Sequence, residues 1–323
     1  MEWKYPRCLK KGMTIGCIAP ASSSDESLDA IQQICEEHGY QIIFGESCYR
    51  TGLYGGSPDE QAQEFEWMMT DAPCDAVLAL RGGYGTMRYI DRLDYTAIRE
   101  YGKPFIGYSD CTALHMAINR YSRLVTYHGP MGVDFTKSRN EDIHNLFEVL
   151  EGKLRVIEPL PEPPRGAIGT ELGDGILRGG NMTMLSMLCG TPYFLEDDSI
   201  EDTILFIEDV GEAPYKLDRM LQQWRLSGLL SRIKGMMIGT FTDCEGDEDE
   251  SDYDIGYEAL RYMEENRAVH LSDPFVCYVP TGHGTPHQTL PLGGHVHFRY
   301  ISNTIVFCLL YTSDAADDMQ CVD

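Results

Sequence analysis

The sequence predicts an α/β protein in two parts, a parallel sheet covered by helices on both faces followed by a less regularly ordered second domain. Three observations carry this. The chain has 323 residues, enough for two ordinary domains. Strand and helix signals alternate between residues 14 and 127, the pattern of parallel strands joined by crossover helices. The rhythm then breaks at Pro159, Pro161, Pro163 and Pro164, with Gly166, Gly169 and Gly173 close behind. The expected division is a first domain at 1–151, a linker at 152–175 and a second domain at 176–311. The polar, acidic tail 312–323 has no periodicity and reads as non-native or disordered.

Residues 14–20 form a short apolar run ending in a turn, Ser22 to Ser24, and read as the first strand. Leu28, Ile31, Ile34 and Cys35 recur at helical spacing, with Gly39 just past the end. Residues 41–45 are the next strand. Ser57 is an N-cap with Pro58 at the first helical position, opening a helix to about Met69. Residues 76–80 and 104–108 are strands of the buried type; a helix follows at about 110–120, and 124–127 is a fifth strand. Beyond the prolines, strands are expected at 203–207, 233–241, 275–279, 296–300 and 304–309, and helices at 216–230 and 255–266.

Asp and Glu number 51 against 26 Lys and Arg, a formal charge of −25. That balance excludes nonspecific wrapping of nucleic acid and opposes docking on anionic lipid. The longest apolar run, 305–311, is far shorter than the roughly 20 residues of a membrane span. The opening residues lack the apolar core of a secretory signal. Eleven cysteines lie scattered without a C-x-x-C pair, so reduced thiols in the cytoplasm are expected. Residues 244–254 hold seven carboxylates without EF-hand spacing and read as a solvated loop.

Chemistry is expected at strand ends. Ser109, in Gly107-Tyr108-Ser109-Asp110, stands where a buried strand turns directly into a helix. Open α/β sheets place ligands at such carboxyl ends, and the helix start offers N–H groups to an oxyanion. The usual G-x-S-x-G is not met because position 111 is Cys, and a plain helix cap is the other reading of Ser109. Arg81-Gly82-Gly83-Tyr84-Gly85 also follows a buried strand. Its glycines can bring backbone N–H groups close to an anion, or can simply make a tight turn. A serine nucleophile needs a base and an orienting carboxylate. Thr281-Gly282-His283-Gly284 offers the base, and Glu208, Asp209 and Glu212 offer the carboxylate. His283, His287, His295 and His297 lack the spacing of a zinc site, so no metal and no cofactor is expected.

In chain order these blocks resemble the LD-carboxypeptidase family of serine peptidases, peptidase family S66. The likeness runs from about Lys11 to Leu309. It includes Gly16-Cys17-Ile18-Ala19-Pro20-Ala21-Ser22, the Arg81–Gly85 loop, Phe105–Asp110, Tyr127-His128-Gly129-Pro130, Gly179-Gly180-Asn181, Ile207-Glu208-Asp209, and Gly282-His283 leading into Leu290-Pro291-Leu292-Gly293. The resemblance implies a flavodoxin- or Rossmann-like N-terminal domain, a smaller β-rich C-terminal α/β domain, and a homodimer. It implies Ser109 as nucleophile, His283 as general base and Glu208 as the carboxylate that orients it. The N–H groups of Asp110 and Gly83 would form the oxyanion hole. The implied substrate is murein tetrapeptide, cleaved between a diamino acid and terminal D-alanine during cytoplasmic peptidoglycan recycling. Arg81 and Tyr84 are the substrate-binding candidates, Arg81 for the terminal carboxylate; a salt bridge steadying the loop is its other reading. Two alternatives stand beside this one: an amidase of the microcin-immunity type acting on peptidyl-nucleotides, and a noncatalytic muropeptide binder. With the site between two domains, domain closure is expected to gate it.

Overall fold

The computed structural model describes residues 1–153, 155–157, 171–195, 199–246, 253–266, 275–301 and 304–309. The proline cluster, residues 247–252 of the acidic segment, and the tail after 309 lie outside the described residues.

The first half runs β1 (Thr14–Ile18), α1 (Leu28–Glu37), β2 (Gln41–Phe44), α2 (Pro58–Met69), β3 (Ala76–Ala79), α3 (Tyr95–Tyr101), β4 (Phe105–Gly107), α4 (Thr112–Ser122), β5 (Thr126–His128) and α5 (Asn140–Leu150). The second half runs β6 (Arg155–Ile157), β7 (Glu171–Asn181), α6 (Met182–Leu188), β8 (Thr203–Val210), α7 (Pro214–Leu226), β9 (Gly235–Thr242), α8 (Ile255–Asn266), β10 (Phe275–Val276), β11 (Leu290–Leu292), β12 (His295–Ile301) and β13 (Thr304–Leu309).

β2-β1-β3-β4-β5 form a parallel sheet in the flavodoxin-like order. Its order reverses between β1 and β3, so the loops after those strands diverge and leave a crevice at their carboxyl ends. The second sheet runs β10-β9-β8-β7-β12-β13-β6, parallel from β10 to β7 and antiparallel beyond. The α/β class, with a β-rich mixed sheet in the second half, is as expected.

Two features differ from expectation. The stretch 152–175 contains β6 and the start of β7, where a linker was expected. And β11, from the second half, leaves its neighbours to pair antiparallel with β5 at the edge of the first sheet. Three helices also went unexpected. α3 and α6 have seven residues each, too short to show a period, and α3 is held by Asp94, whose carboxylate accepts from the N–H groups of Thr96 and Ala97. α5 carries a helical stripe of Ile143, Leu146, Phe147 and Leu150 beside the proline-rich stretch. α7 stops at Leu226, ahead of the expected 230, because Gly228 takes a left-handed conformation (φ 77°).

One apolar core spans both halves. Phe65, Phe105, Ile118 and Leu114 under the first sheet are continuous with Met182, Leu185, Ile207 and Trp224 of the second. α4 lies in the middle and is buried around nearly its whole circumference, against β5 on one side and β7 and α6 on the other. No helix among the described residues is long and apolar enough to cross a membrane. The nine cysteines whose side chains are described are free thiols.

Candidate active site

The carboxyl edge of the first sheet gathers three loops and one sharp turn. Ser109 is that turn. β4 ends at Gly107, a short 3-10 turn spans Ser109–Cys111, and α4 follows at once. Ser109 sits at φ +61°, a left-handed conformation that costs a non-glycine residue roughly 1–2 kcal/mol. The strain throws its side chain out of the sheet, as in a nucleophile elbow. Cys111 stands where that motif has a second glycine, and it fits because Gly107 is bare: a Cβ there would lie 3.1 Å from the Cys111 Cβ.

The glycine loop after β3 closes over the elbow. A Cβ on Gly82 would lie 2.9 Å from the Ser109 Cβ and 3.2 Å from its Oγ. Gly83 (φ +99°) presents its backbone beside Ser22 and is solvent-exposed. The loop is clamped from both ends. Ser22, in the turn after β1, accepts from the Tyr84 N–H at 3.1 Å, and its own N–H donates to the Gly82 carbonyl at 3.1 Å. Thr86 donates its N–H to the Asp110 carboxylate at 2.9 Å and its hydroxyl to the Asp110 carbonyl at 2.7 Å. Burial pushes the Asp110 carboxyl up, and the Thr86 N–H pulls against it. The Asp110 side chain is thus spent on the loop, and its backbone N–H lies at the helix start beside Ser109.

Glu208 and His283 come from the other half. Glu208 is on β8, fully buried, and accepts from His283 Nδ1 at 2.7 Å and from the His283 backbone N–H at 3.3 Å. That contact fixes the tautomer and leaves Nε2 as the other ring nitrogen. Burial pulls the His283 imidazole down, but the Glu208 charge and hydrogen bond outweigh it, with Asp209 and Asp134 adding to them; the balance lies above the ordinary 6.5. The His283 ring packs on the ring of Tyr108, the residue before Ser109, with centroids 4.8 Å apart at 62°. The chain thereby brings the Glu208–His283 pair against Tyr108, next in sequence to Ser109.

Of the rival carboxylates, Asp209 is occupied elsewhere. It accepts from Asn181 Nδ2 at 2.8 Å and from the N–H and hydroxyl of Thr183 at 2.9 and 2.8 Å. Glu212 pairs with Lys216 at 2.9 Å near the surface. Asn181 closes the seam, because its N–H donates to Thr112 Oγ1 at the start of α4 at 3.0 Å. Gly180 makes that approach possible: a Cβ there would sit 2.5 Å from the same oxygen.

Arg81 is exposed, donates one long bond to the Ser23 carbonyl at 3.4 Å, and has no carboxylate partner among the described residues. No loop-steadying salt bridge is therefore formed there among the described residues. Tyr84 is 52% exposed.

Of the other histidines, His287 is buried against Tyr108 and His128 (4.6 and 5.5 Å between centroids), and burial pushes it down to about 3. His295 pairs with Asp174 at 3.5 Å, and the side chain of His297 lies outside the described residues. Sequence reasoning missed Ser22, Thr86, Tyr108 and Thr112, which hold the site together. The Ser22–Ser24 turn directly after β1 was a signal for Ser22, and the Phe105–Asp110 block contained Tyr108 without singling it out.

Comparison with known proteins bears on this arrangement. Residues 15–129 match the LD-carboxypeptidase N-terminal domain, and residues 174–298 match the LD-carboxypeptidase C-terminal domain. A probable murein peptide carboxypeptidase of Bacillus subtilis (strain 168) is 32% identical over 312 residues, covering 93% of each chain. The crystal structure of muramoyltetrapeptide carboxypeptidase from Oxalobacter formigenes superposes with a TM-score of 0.77 at 29% identity, over 91% of this chain and 97% of that one. The structure of MccF in complex with glutamyl sulfamoyl guanosine has a TM-score of 0.78 at 22% identity, over 95% and 99%, and shares the fold.

Proposed function

The chain belongs to the LD-carboxypeptidase family, peptidase family S66, and from that premise we propose that it is a serine peptidase releasing the terminal D-alanine of murein tetrapeptide. The observation that carries the mechanism is the 2.7 Å bond between His283 Nδ1 and Glu208, on a ring packed against Tyr108, the residue before Ser109. It leaves Nε2 to take the serine proton.

Ser109 Oγ attacks the amide carbonyl as His283 Nε2 accepts its proton, and Glu208 stabilises the imidazolium. The N–H groups of Asp110 and Gly83 receive the oxyanion. His283 then returns the proton to the departing amine, the C–N bond breaks, D-alanine leaves, and an ester to Ser109 remains. Water attacks that ester with His283 again as base. Exposed Arg81 would hold the substrate's terminal carboxylate, a role suited to a guanidinium. The reading carries with it a cytoplasmic recycling step and a homodimer. The alternative, an amidase acting on peptidyl-nucleotides, would use the same three side chains.

The test is D-alanine release from purified murein tetrapeptide by wild type and Ser109→Ala, with a chelator present. Release by the wild type alone is expected. No release by either overturns the substrate, and aminoacyl-nucleotide amides come next. Equal release by both reduces Ser109 to a helix cap and overturns the mechanism.

A further inference from the structure

We propose that Asp134 is a second carboxylate serving the general base, and that Tyr108 is the positioning residue through which it acts on His283. This rests on the serine-peptidase reading and extends its set of three side chains.

Asp134 is fixed by its own turn. The loop after β5 makes a short 3-10 turn at Gly132–Asp134. There the Met131 N–H donates to Asp134 Oδ2 at 2.8 Å, and the Asp134 N–H donates to the Met131 carbonyl at 2.9 Å. The Val133 N–H donates to the Leu80 carbonyl at 2.9 Å, which pins the turn to the end of β3, just before the glycine loop. The other carboxylate oxygen, Oδ1, accepts from the Tyr108 hydroxyl at 3.3 Å. Tyr108 is buried, and its ring meets three imidazoles edge-on: His283 at 4.8 Å, His287 at 4.6 Å and His128 at 5.7 Å between centroids. Its hydroxyl thus holds a carboxylate, its ring supports the base, and its backbone leads directly into Ser109.

Charge separates His283 from the other two rings. Burial pushes His287 down to about 3 and holds His128 well below the ordinary 6.5, so both are neutral near pH 7. His283 is lifted instead: burial pulls it down, and Glu208, Asp209 and Asp134 together outweigh that pull. The attraction is mutual. Burial raises the Asp134 carboxyl, while the Met131 N–H, the Tyr108 hydroxyl, His283 and Lys137 pull it back. Glu208 and Asp209 belong to β8 in the second half, and Asp134 belongs to the first. The imidazolium formed as Ser109 loses its proton is therefore met by negative charge from both halves.

The experiment follows two reactions of the full chain across pH. One is D-alanine release from murein tetrapeptide. The other is labelling of Ser109 by a fluorophosphonate, in which the Oγ–P bond forms, fluoride leaves and His283 takes the proton; it needs the base but no murein. Wild type is compared with Asp134→Asn, Tyr108→Phe and Tyr108→Leu. Asp134→Asn keeps the shape and removes the charge, so the limb on which both rates rise with pH should move down by roughly half a pH unit. Tyr108→Phe keeps the ring and should lower kcat about five-fold at unchanged KM. Tyr108→Leu should lower kcat about a hundred-fold and slow labelling alike. An unmoved limb in Asp134→Asn reduces Asp134 to a turn cap and overturns the second carboxylate. Wild-type kcat in both Tyr108 variants, or a loss confined to KM, overturns the positioning. If Tyr108→Leu does not fold, Tyr108→Phe and Asp134→Asn decide. Labelling without D-alanine release sinks the murein substrate alone, and the labelling profiles still test Asp134 and Tyr108. A wild type that does not label at Ser109 overturns the serine mechanism and this extension together.

Discussion

The two halves of the site are held by different physics. Ser109 is held by the backbone itself: a left-handed φ, a glycine so close that a Cβ on it would lie 2.9 Å from the Ser109 Cβ, and a buried helix behind. His283 is held by charge: a buried carboxylate at 2.7 Å sets its tautomer and lifts its basicity against the pull of burial. The first arrangement fails when a shape changes by one carbon. The second fails when a charge disappears and the shape stays the same.

The largest contrast comes from removing charge without changing shape. Glu208→Gln should cut kcat/KM by about 10³ to 10⁴, because the amide no longer enforces the tautomer. The base works unprotonated, so activity rises with pH through the His283 pKa. In wild type that limb lies above pH 6.5; with Glu208 neutral, burial dominates and the limb moves to lower pH. A pH profile of both proteins decides it, and an unmoved limb would break the contrast.

The complementary change adds shape without charge. Gly82→Ala puts a methyl against Ser109 and should lower kcat about a hundred-fold with the pH limb in place. Wild-type kcat in this variant would mean the close approach does not position the nucleophile. Arg81→Ala should raise KM roughly thirty-fold by removing a charge-assisted carboxylate contact. The difference should vanish on a substrate whose terminal carboxylate is amidated, and its persistence there would make Arg81 a loop residue only.

The smallest effect is on stability. Ser109→Gly should exceed Ser109→Ala in unfolding free energy by about 1 kcal/mol, since glycine takes the left-handed conformation freely. Denaturant midpoints of the two inactive proteins measure it. Equal midpoints would deny that strain is stored at this turn.

Much of the first sheet is legible because each strand is a short apolar run closed by a turn residue and followed by a helical period. Ser109 is legible for the same reason, as a serine in the short turn between strand and helix. Glu208 and His283 could be named only through an ordered set of motifs, since nothing local separates Glu208 from Asp209. What decides between them is a partner far along the chain: Asp209 faces Asn181 and Thr183, and Glu208 faces His283. Also illegible was the destination of Leu290-Pro291-Leu292. Three residues with a central proline argue against an inner strand, and they are tolerated here because β11 lies at a sheet edge.

That edge strand also sets an order of events during synthesis. β5 ends at His128, and its outer neighbour begins at Leu290, 162 positions later by subtraction. At a translation rate of about 5–20 residues per second, the nascent first sheet keeps an open flank for roughly 8–32 s after β5 is made. An unpaired flank is a template for a neighbouring chain. The strand that closes it arrives on the same segment as His283, so the polypeptide seals its sheet in the same stroke that delivers the partner of Glu208.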